Sequence, residues 1–272
     1  MGEPLLYRIP GWLIGLGLFL AMTGVWEFFY RLGHRHRKAS SREKLGPIET
    51  AVAGLLALIL AFSFSMASER FDHREEVIIA EANALETTYL RCDFLPPSEE
   101  AACRDLLIRY AALRVEFYEA AHHADKVRSV NERSERLHGE LWELVRRGQL
   151  AEDTPAFALT AAATNELIDL HTDRVAAQRR IVPALITWLT LFLCISWGGF
   201  AGYVCGLAEV RQHASWLGFA VLASVVVYVS IDLDRPGRGL IRPVRGHAVM
   251  VDLAKKLAAQ GTTRPSQRSL PP

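Results

Sequence analysis

Apolar and polar positions along this chain fall into long blocks. Residues 11–30, GWLIGLGLFLAMTGVWEFFY, are almost uninterrupted in their apolar character. Such a run of 20 residues is as long as the hydrocarbon core of a bilayer is thick, about 30 Å at a rise of about 1.5 Å per residue. Trp12 lies near one end, and Trp26 and Tyr30 near the other, where aromatic residues meet membrane interfaces. A second run covers 47–66 and opens on Pro47, which suits a first helical turn. Two more, 181–207 and 216–231, are joined by the short loop AEVRQHAS. The pattern predicts four membrane spans at 11–30, 47–66, 183–207 and 216–231.

Between the second and third spans the pattern stays helical but turns polar. No Gly or Pro occurs from Leu55 to Arg91, which predicts one helix from 48 to 91, partly in the membrane and partly projecting. Leu95-Pro96-Pro97 breaks it, and Ser98 is a candidate cap for a helix reaching His123, with Glu99 and Glu100 favoured in its first turn. A further helix is expected over 127–147, with Leu137, Leu141, Leu144 and Val145 on one stripe and Gly148 as its stop. Pro155 opens the last, which runs to Arg180. The expected fold is therefore all-α, a four-span membrane protein with a polar helical bundle between spans 2 and 3. Its domains are 1–66, two spans with a basic loop; 67–180, the polar helices; 181–232, a transmembrane hairpin; and 233–272, a tail with a short amphipathic helix over 247–259 and a disordered end.

Within the spans, Gly198, Gly202 and Gly206 recur every fourth residue, and Gly11 and Gly15 repeat the interval once. Small residues at this spacing let membrane helices pack closely. Leu58, Phe62 and Met66 form a second four-residue repeat, a candidate pore constriction or a lipid-facing stripe. Arg70, Arg74 and Glu81 share a face of the projecting helix. With Asn83, Arg91, Arg109, His171 and Arg174 they make a candidate polar network. Asp232, Asp234 and Arg235, followed by Pro236 and Gly239, close the fourth span, where charges are expected to snorkel to the interface.

The 272 residues carry a net charge of +1, so bulk charge gives no reason to expect a nucleic-acid partner. Two Glu-x-x-His pairs, Glu119/His122 and Glu135/His138, have the spacing of carboxylate-bridged metal bundles. About the turn near Asp125 their imidazoles differ in height by roughly 15 Å, too far for one metal centre. No nucleophile–base pair or phosphate loop stands out, so neither enzyme activity nor a cofactor is expected. Cys194 and Cys205 lie eleven residues apart on one span and are read as small apolar residues. Cys92 and Cys103 flank the Pro96-Pro97 turn, where a disulfide can close if the compartment is oxidising. The loop between spans 1 and 2 holds Arg35, Arg37, Lys38, Arg42 and Lys44. By the positive-inside rule it is cytoplasmic, with the helical domain outside the cytoplasm. The arginines of the tail, 235, 238, 242 and 245, argue the other way.

The stretches GLLALILAFSFSMASERFDHR, EEVIIAEANALETTYLR and SIDLDRPGRGLIRP resemble the bacterial bestrophin-like domain family of four-span membrane proteins. The resemblance runs from about residue 46 to 255 and rests on Glu81-Ala82-Asn83 with Arg91, Arg109-Tyr110, His171 with Arg174, and Asp234-Arg235-Pro236 with Gly239. It implies kinship to pentameric anion channels that hold their middle domain in the cytoplasm. The expected function is an oligomeric anion channel in the cell inner membrane, with the lipid bilayer, further copies of the chain and anions as partners. The alternative is a non-transporting sensor or scaffold that acts through its helical domain.

Overall fold

The computed structural model describes residues 9–36, 47–120, 123–151, 155–235 and 239–263. Among these, eight α-helices and one short 3-10 turn form the fold, with no strand. They are α1 (Gly11–His36), α2 (Pro47–Arg91), α3 (Pro97–Glu119), α4 (Ala124–Ala151), α5 (Pro155–Arg179), α6 (Ala184–Ala208), α7 (His213–Asp234) and α8 (Val244–Thr263). Four candidate membrane spans are long and apolar enough to cross a bilayer; they lie in α1, the first half of α2, α6 and α7. The chain is a multi-pass membrane protein. It divides into two compact units, one comprising the chain to Arg70 with 181–235 and 239–241, the other Phe71–Arg180 with the chain from Arg242 onward.

In the membrane unit, α1 is the helix against which both α6 and α7 pack. Ile14, Leu18, Met22, Trp26 and Tyr30 repeat every fourth residue and are all buried. The glycines of α6 face α1. A Cβ on Gly198 would lie 3.1 Å from the Met22 carbonyl oxygen, and one on Gly202 or Gly206 would overlap the carbonyl of Trp26 or Tyr30. The α1 backbone thus rests on a glycine track, as close helix packing requires. Gly11 and Gly15 turn the other way, onto the ring and Cβ of Tyr228 in α7.

Trp26 and Tyr30, which the sequence pattern placed as belt residues, turn into the helix core. Trp26 stacks on Tyr30 and Trp216, with centroids 5.4 and 6.0 Å away, and Arg211 donates to the Tyr30 hydroxyl at 3.2 Å. The glycine track draws α1 inward and takes these rings with it, while Trp12 remains exposed.

The charges closing α7 do not snorkel either. Asp232, Asp234 and Arg235 are buried. Asp234 accepts the Val182 N–H at 2.7 Å and lies 3.9 Å from the Arg70 guanidinium. Asp232 accepts the Ile241 N–H at 3.0 Å. A Cβ on Gly239 would come within 2.7 Å of the Asp232 carbonyl oxygen, so glycine is needed for that approach. The two carboxylates fasten the chain on either side of the span because backbone donors there would otherwise lie buried without acceptors. Pro236 and the basic stretch 37–44 lie outside the described residues.

In the helical unit, α2 ends in the turn Cys92–Phe94, and Cys92 is joined to Cys103 of α3 by a disulfide, with Cα atoms 6.0 Å apart. Ser98 is not the cap of α3. The helix starts at Pro97 with Pro96 as its cap residue, since proline at a first position has no N–H to satisfy, and the Ser98 hydroxyl bonds to Glu99 instead. Nor does Gly148 stop α4, which continues to Ala151. A Cβ at Gly148 would meet Phe157 at 2.9 Å and Leu95 at 3.3 Å, so this glycine serves packing. The core gathers Leu85 and Tyr89 of α2, Leu107 of α3, the stripe Leu137, Leu141, Leu144 and Val145 of α4, and Leu167 of α5. The tail helix is longer than its expected 247–259 span and is no separate appendage. It packs on α3 and adds Met250, Leu253 and Leu257 to this core. The 264–272 end lies outside the described residues.

The glycine track predicts a position-specific sensitivity. Gly202→Leu should lower the yield and thermal stability of detergent-solubilised protein, whereas Gly218→Leu, at a glycine with nothing within 4 Å of a built Cβ, should leave both near wild type. Equal behaviour of the two variants in size-exclusion and thermal-shift assays would remove the packing argument.

Candidate functional site

Helices of the helical unit place their apolar stripes inward, and a few stripe positions hold polar residues. Tyr110 and Arg114 sit among Leu107, Leu113 and Phe117 of α3; Ser134 and His138 among Val130, Leu137 and Leu141 of α4; His171 and Arg174 follow Leu167 on α5; Glu81 lies beside Ala82, Ala84 and Leu85 of α2. All are buried. Helical register therefore carries these side chains into the core, where they must find one another.

Glu81 is the centre. One of its oxygens accepts from Arg174 at 2.5 Å and the other from the Tyr110 hydroxyl at 2.5 Å. Arg114 Nη1 lies 3.9 Å from the carboxylate and 3.1 Å from His171 Nδ1. Its Nη2 donates to the Ser134 hydroxyl at 2.5 Å, which itself donates to the Val130 carbonyl. Phe117 lies beneath both guanidinium groups at 5.1 and 5.0 Å, a cation–π arrangement. His138 packs its ring 4.8 Å from those of Tyr110 and His171.

Burial opposes every charge here. Desolvation raises the Glu81 carboxyl, but Arg174, Arg114 and the Tyr110 hydrogen bond outweigh it and hold the group below the usual range. Desolvation and the neighbouring carboxylate push Tyr110 well above the ordinary phenol. Burial also lowers Arg114, partly offset by Tyr110 and Glu81. The histidines are driven down by burial and by Arg114, His138 to about 4 and His171 to about 3. At neutral pH both are uncharged.

The expected polar network is thus only partly one cluster. Glu81, His171 and Arg174 meet. Asn83 is exposed on the opposite side of α2. Arg70 belongs to the membrane unit, where it bonds the Met66 carbonyl. Arg74 is buried in the helical unit. Arg91 donates to the Leu159 carbonyl at 2.9 Å, tying α2 to α5. Arg109 faces solvent near Asp105 and Glu140, and its neighbour Tyr110 turns inward. Arg114, Ser134 and His138 were missed as members. Their signal was available, since each interrupts an apolar stripe at a core register. Of the two Glu-x-x-His pairs, Glu119 and Glu135 are exposed, His138 joins the core, and His122 lies outside the described residues. Leu58 and Phe62, in the membrane half of α2, are 51% and 59% exposed in the single chain, and Met66 is half-buried.

A model of the bestrophin-like domain matches residues 16–243. The chain belongs to the bestrophin-like domain family. The match begins inside α1 rather than near residue 46, so the first span is part of the bestrophin-like unit. No curated protein and no solved structure matches the chain.

Two outcomes follow from the cluster. Glu81→Gln removes the carboxylate that two buried guanidinium groups share, and should destabilise this bestrophin-like protein by about 3–5 kcal/mol, read as a lowered unfolding midpoint. The pH response has one sign. A histidine lowered on folding stays neutral in the folded chain while the unfolded chain takes up protons, so its stabilisation is complete above pH 6.5 and falls as pH drops. From His138 alone the loss between pH 6.5 and 4 is about 3 kcal/mol. Glu81, also lowered, adds a further loss below about pH 4.5. His138→Phe should flatten the first part of that profile in thermal unfolding across pH 4–7.

Proposed function

We propose that this bestrophin-like protein assembles with copies of itself into an anion channel of the cell inner membrane, with the membrane half of α2 lining the pore. The observation that carries the reading is the uncovered face of that helix. Gly54, Ala57, Leu58, Ala61, Phe62 and Ser65 are exposed in the single chain, and nothing lies within 4 Å of a Cβ built on Gly54. Small residues suit a helix–helix interface better than a lipid face, and Leu58 and Phe62 suit an apolar constriction. Membership of the bestrophin-like family supports the same reading. The role is conduction rather than catalysis.

The test combines mass and flux. Purified protein in nanodiscs should have the mass of a ring of chains, and proteoliposomes should pass chloride. Phe62→Ala should raise the flux at least severalfold by widening the constriction. A dimer with no flux in wild type or variant would favour the sensor or scaffold reading.

For sidedness, the Cys92–Cys103 disulfide and the basic loop between α1 and α2 together support a helical domain outside the cytoplasm. Alkylation of intact cells without reductant, followed by mass spectrometry, should leave both cysteines unmodified. Full labelling of both would move the domain to the cytoplasm.

A further inference from the structure

Arg211 lies in the loop between α6 and α7, just ahead of Trp216 and the apolar run of the fourth span. It is exposed, and among the described residues no acid lies within ion-pair distance of it. Glu27, one turn before Tyr30 on α1, is paired with Arg31 at 2.7 Å instead. Glu209 of the same loop does not reach it.

The guanidinium is nonetheless held in place. Its carbon lies 5.2 Å from the centre of the Tyr30 ring, and Nε donates to the Tyr30 hydroxyl at 3.2 Å. Tyr30 is itself buried and stacked on Trp26. A guanidinium has N–H donors to spare beyond that one bond. The Nη edge has no protein partner among the described residues, and such an edge can take two oxygens of one phosphate. Two imidazoles flank the same tyrosine. The ring of His34 lies 6.3 Å from that of Tyr30, and the ring of His213 lies 6.4 Å from it. Both histidines are exposed, as are Arg35 and His36. The chain that leaves α1 at this end carries Arg37, Lys38, Arg42 and Lys44. Positive charge thus outweighs negative at one end of the membrane unit, where α1 and α7 meet the lipid surface.

We propose that Arg211, with His34 and His213 around Tyr30, binds the phosphate of an anionic phospholipid. Lipid is the occupant because the span ends hold this cluster at headgroup level, where an anionic leaflet presents its phosphates at high local concentration. The site is apart from the exposed stripe of α2 and stands whether or not the protein conducts.

The experiment titrates full-length protein in dodecyl maltoside with dioleoylphosphatidylglycerol, with dioleoylphosphatidylcholine and with sodium phosphate, at equal ionic strength. Phosphatidylglycerol should raise the unfolding midpoint saturably, and the other two should not. Arg211→Gln should raise the phosphatidylglycerol concentration for half the effect about fivefold. Arg109→Gln, at an exposed arginine of the helical unit, should leave it unchanged. Equal responses to the two lipids, the same increment from inorganic phosphate, or an unchanged half-effect concentration in Arg211→Gln would overturn the proposal. So would an equal shift in Arg109→Gln, since any surface charge would then do. Should Arg211→Gln fail to fold, hydrogen exchange on wild type decides. Protection that depends on phosphatidylglycerol should fall on peptides covering 30–36 and 208–216, and protection that omits both would sink the site.

Discussion

The helical unit depends on one carboxylate. Glu81 is the acid that makes it permissible for Arg114 and Arg174 to lie in an apolar core, and Tyr110, Ser134 and His171 are oriented by what Glu81 and Arg114 leave to be bonded. An apolar set of the same volume would be as stable or more so, because buried ion pairs regain their desolvation cost only with good geometry. What the polar set adds is uniqueness. Leucines on α2, α3, α4 and α5 could slide past one another, whereas a shared carboxylate with fixed donors on α3 and α5 accepts one register.

The membrane unit solves the same problem with the opposite chemistry. Lipid offers no hydrophobic drive between helices, so close backbone approach and ring stacking do the work. Gly198, Gly202 and Gly206 admit the carbonyls of Met22, Trp26 and Tyr30, and once α1 lies that close Trp26 is forced against Trp216. At the end of α7 the acids serve the backbone, with Asp234 holding Val182 just ahead of α6 and Asp232 holding Ile241.

Element lengths were legible in the sequence because run length against bilayer thickness is a one-dimensional quantity. The glycine interval was legible for the same reason, although not the partner: spacing says that a face is small, not which helix lies on it. Trp26 and Tyr30 misled because position near a span end looks identical for a belt and for a buried stack. The cluster around Glu81 was half legible. Glu81, His171 and Arg174 stood out as charged residues in recognisable motifs, His138 stood out only as half of a Glu-x-x-His pair, and Arg114 and Ser134 looked like ordinary polar residues of solvated helices. Only stripe register separates them from Asn83 or Arg109, and that register shows once the apolar neighbours Leu113, Val130 and Leu137 are counted with them.

Where charge resides separates the roles of the two units. The acids closing α7 are held by backbone amides at 2.7 and 3.0 Å, so changing them is expected to disturb the fold before any conduction. The exposed stripe of α2 brings no charge: Leu58 and Phe62 are uncharged and uncovered in the single chain. The guanidinium groups of Arg114 and Arg174 lie instead on α3 and α5, buried around the Glu81 carboxylate. A variant at Arg114 that altered flux would therefore act through stability, with yield and unfolding midpoint falling together with it. If the membrane half of α2 lines a pore as proposed, a variant at Phe62 should change flux while both stay near wild type, because that ring is 59% exposed in the single chain. This separation of readouts distinguishes a residue that shapes a pore from one that merely keeps the protein folded.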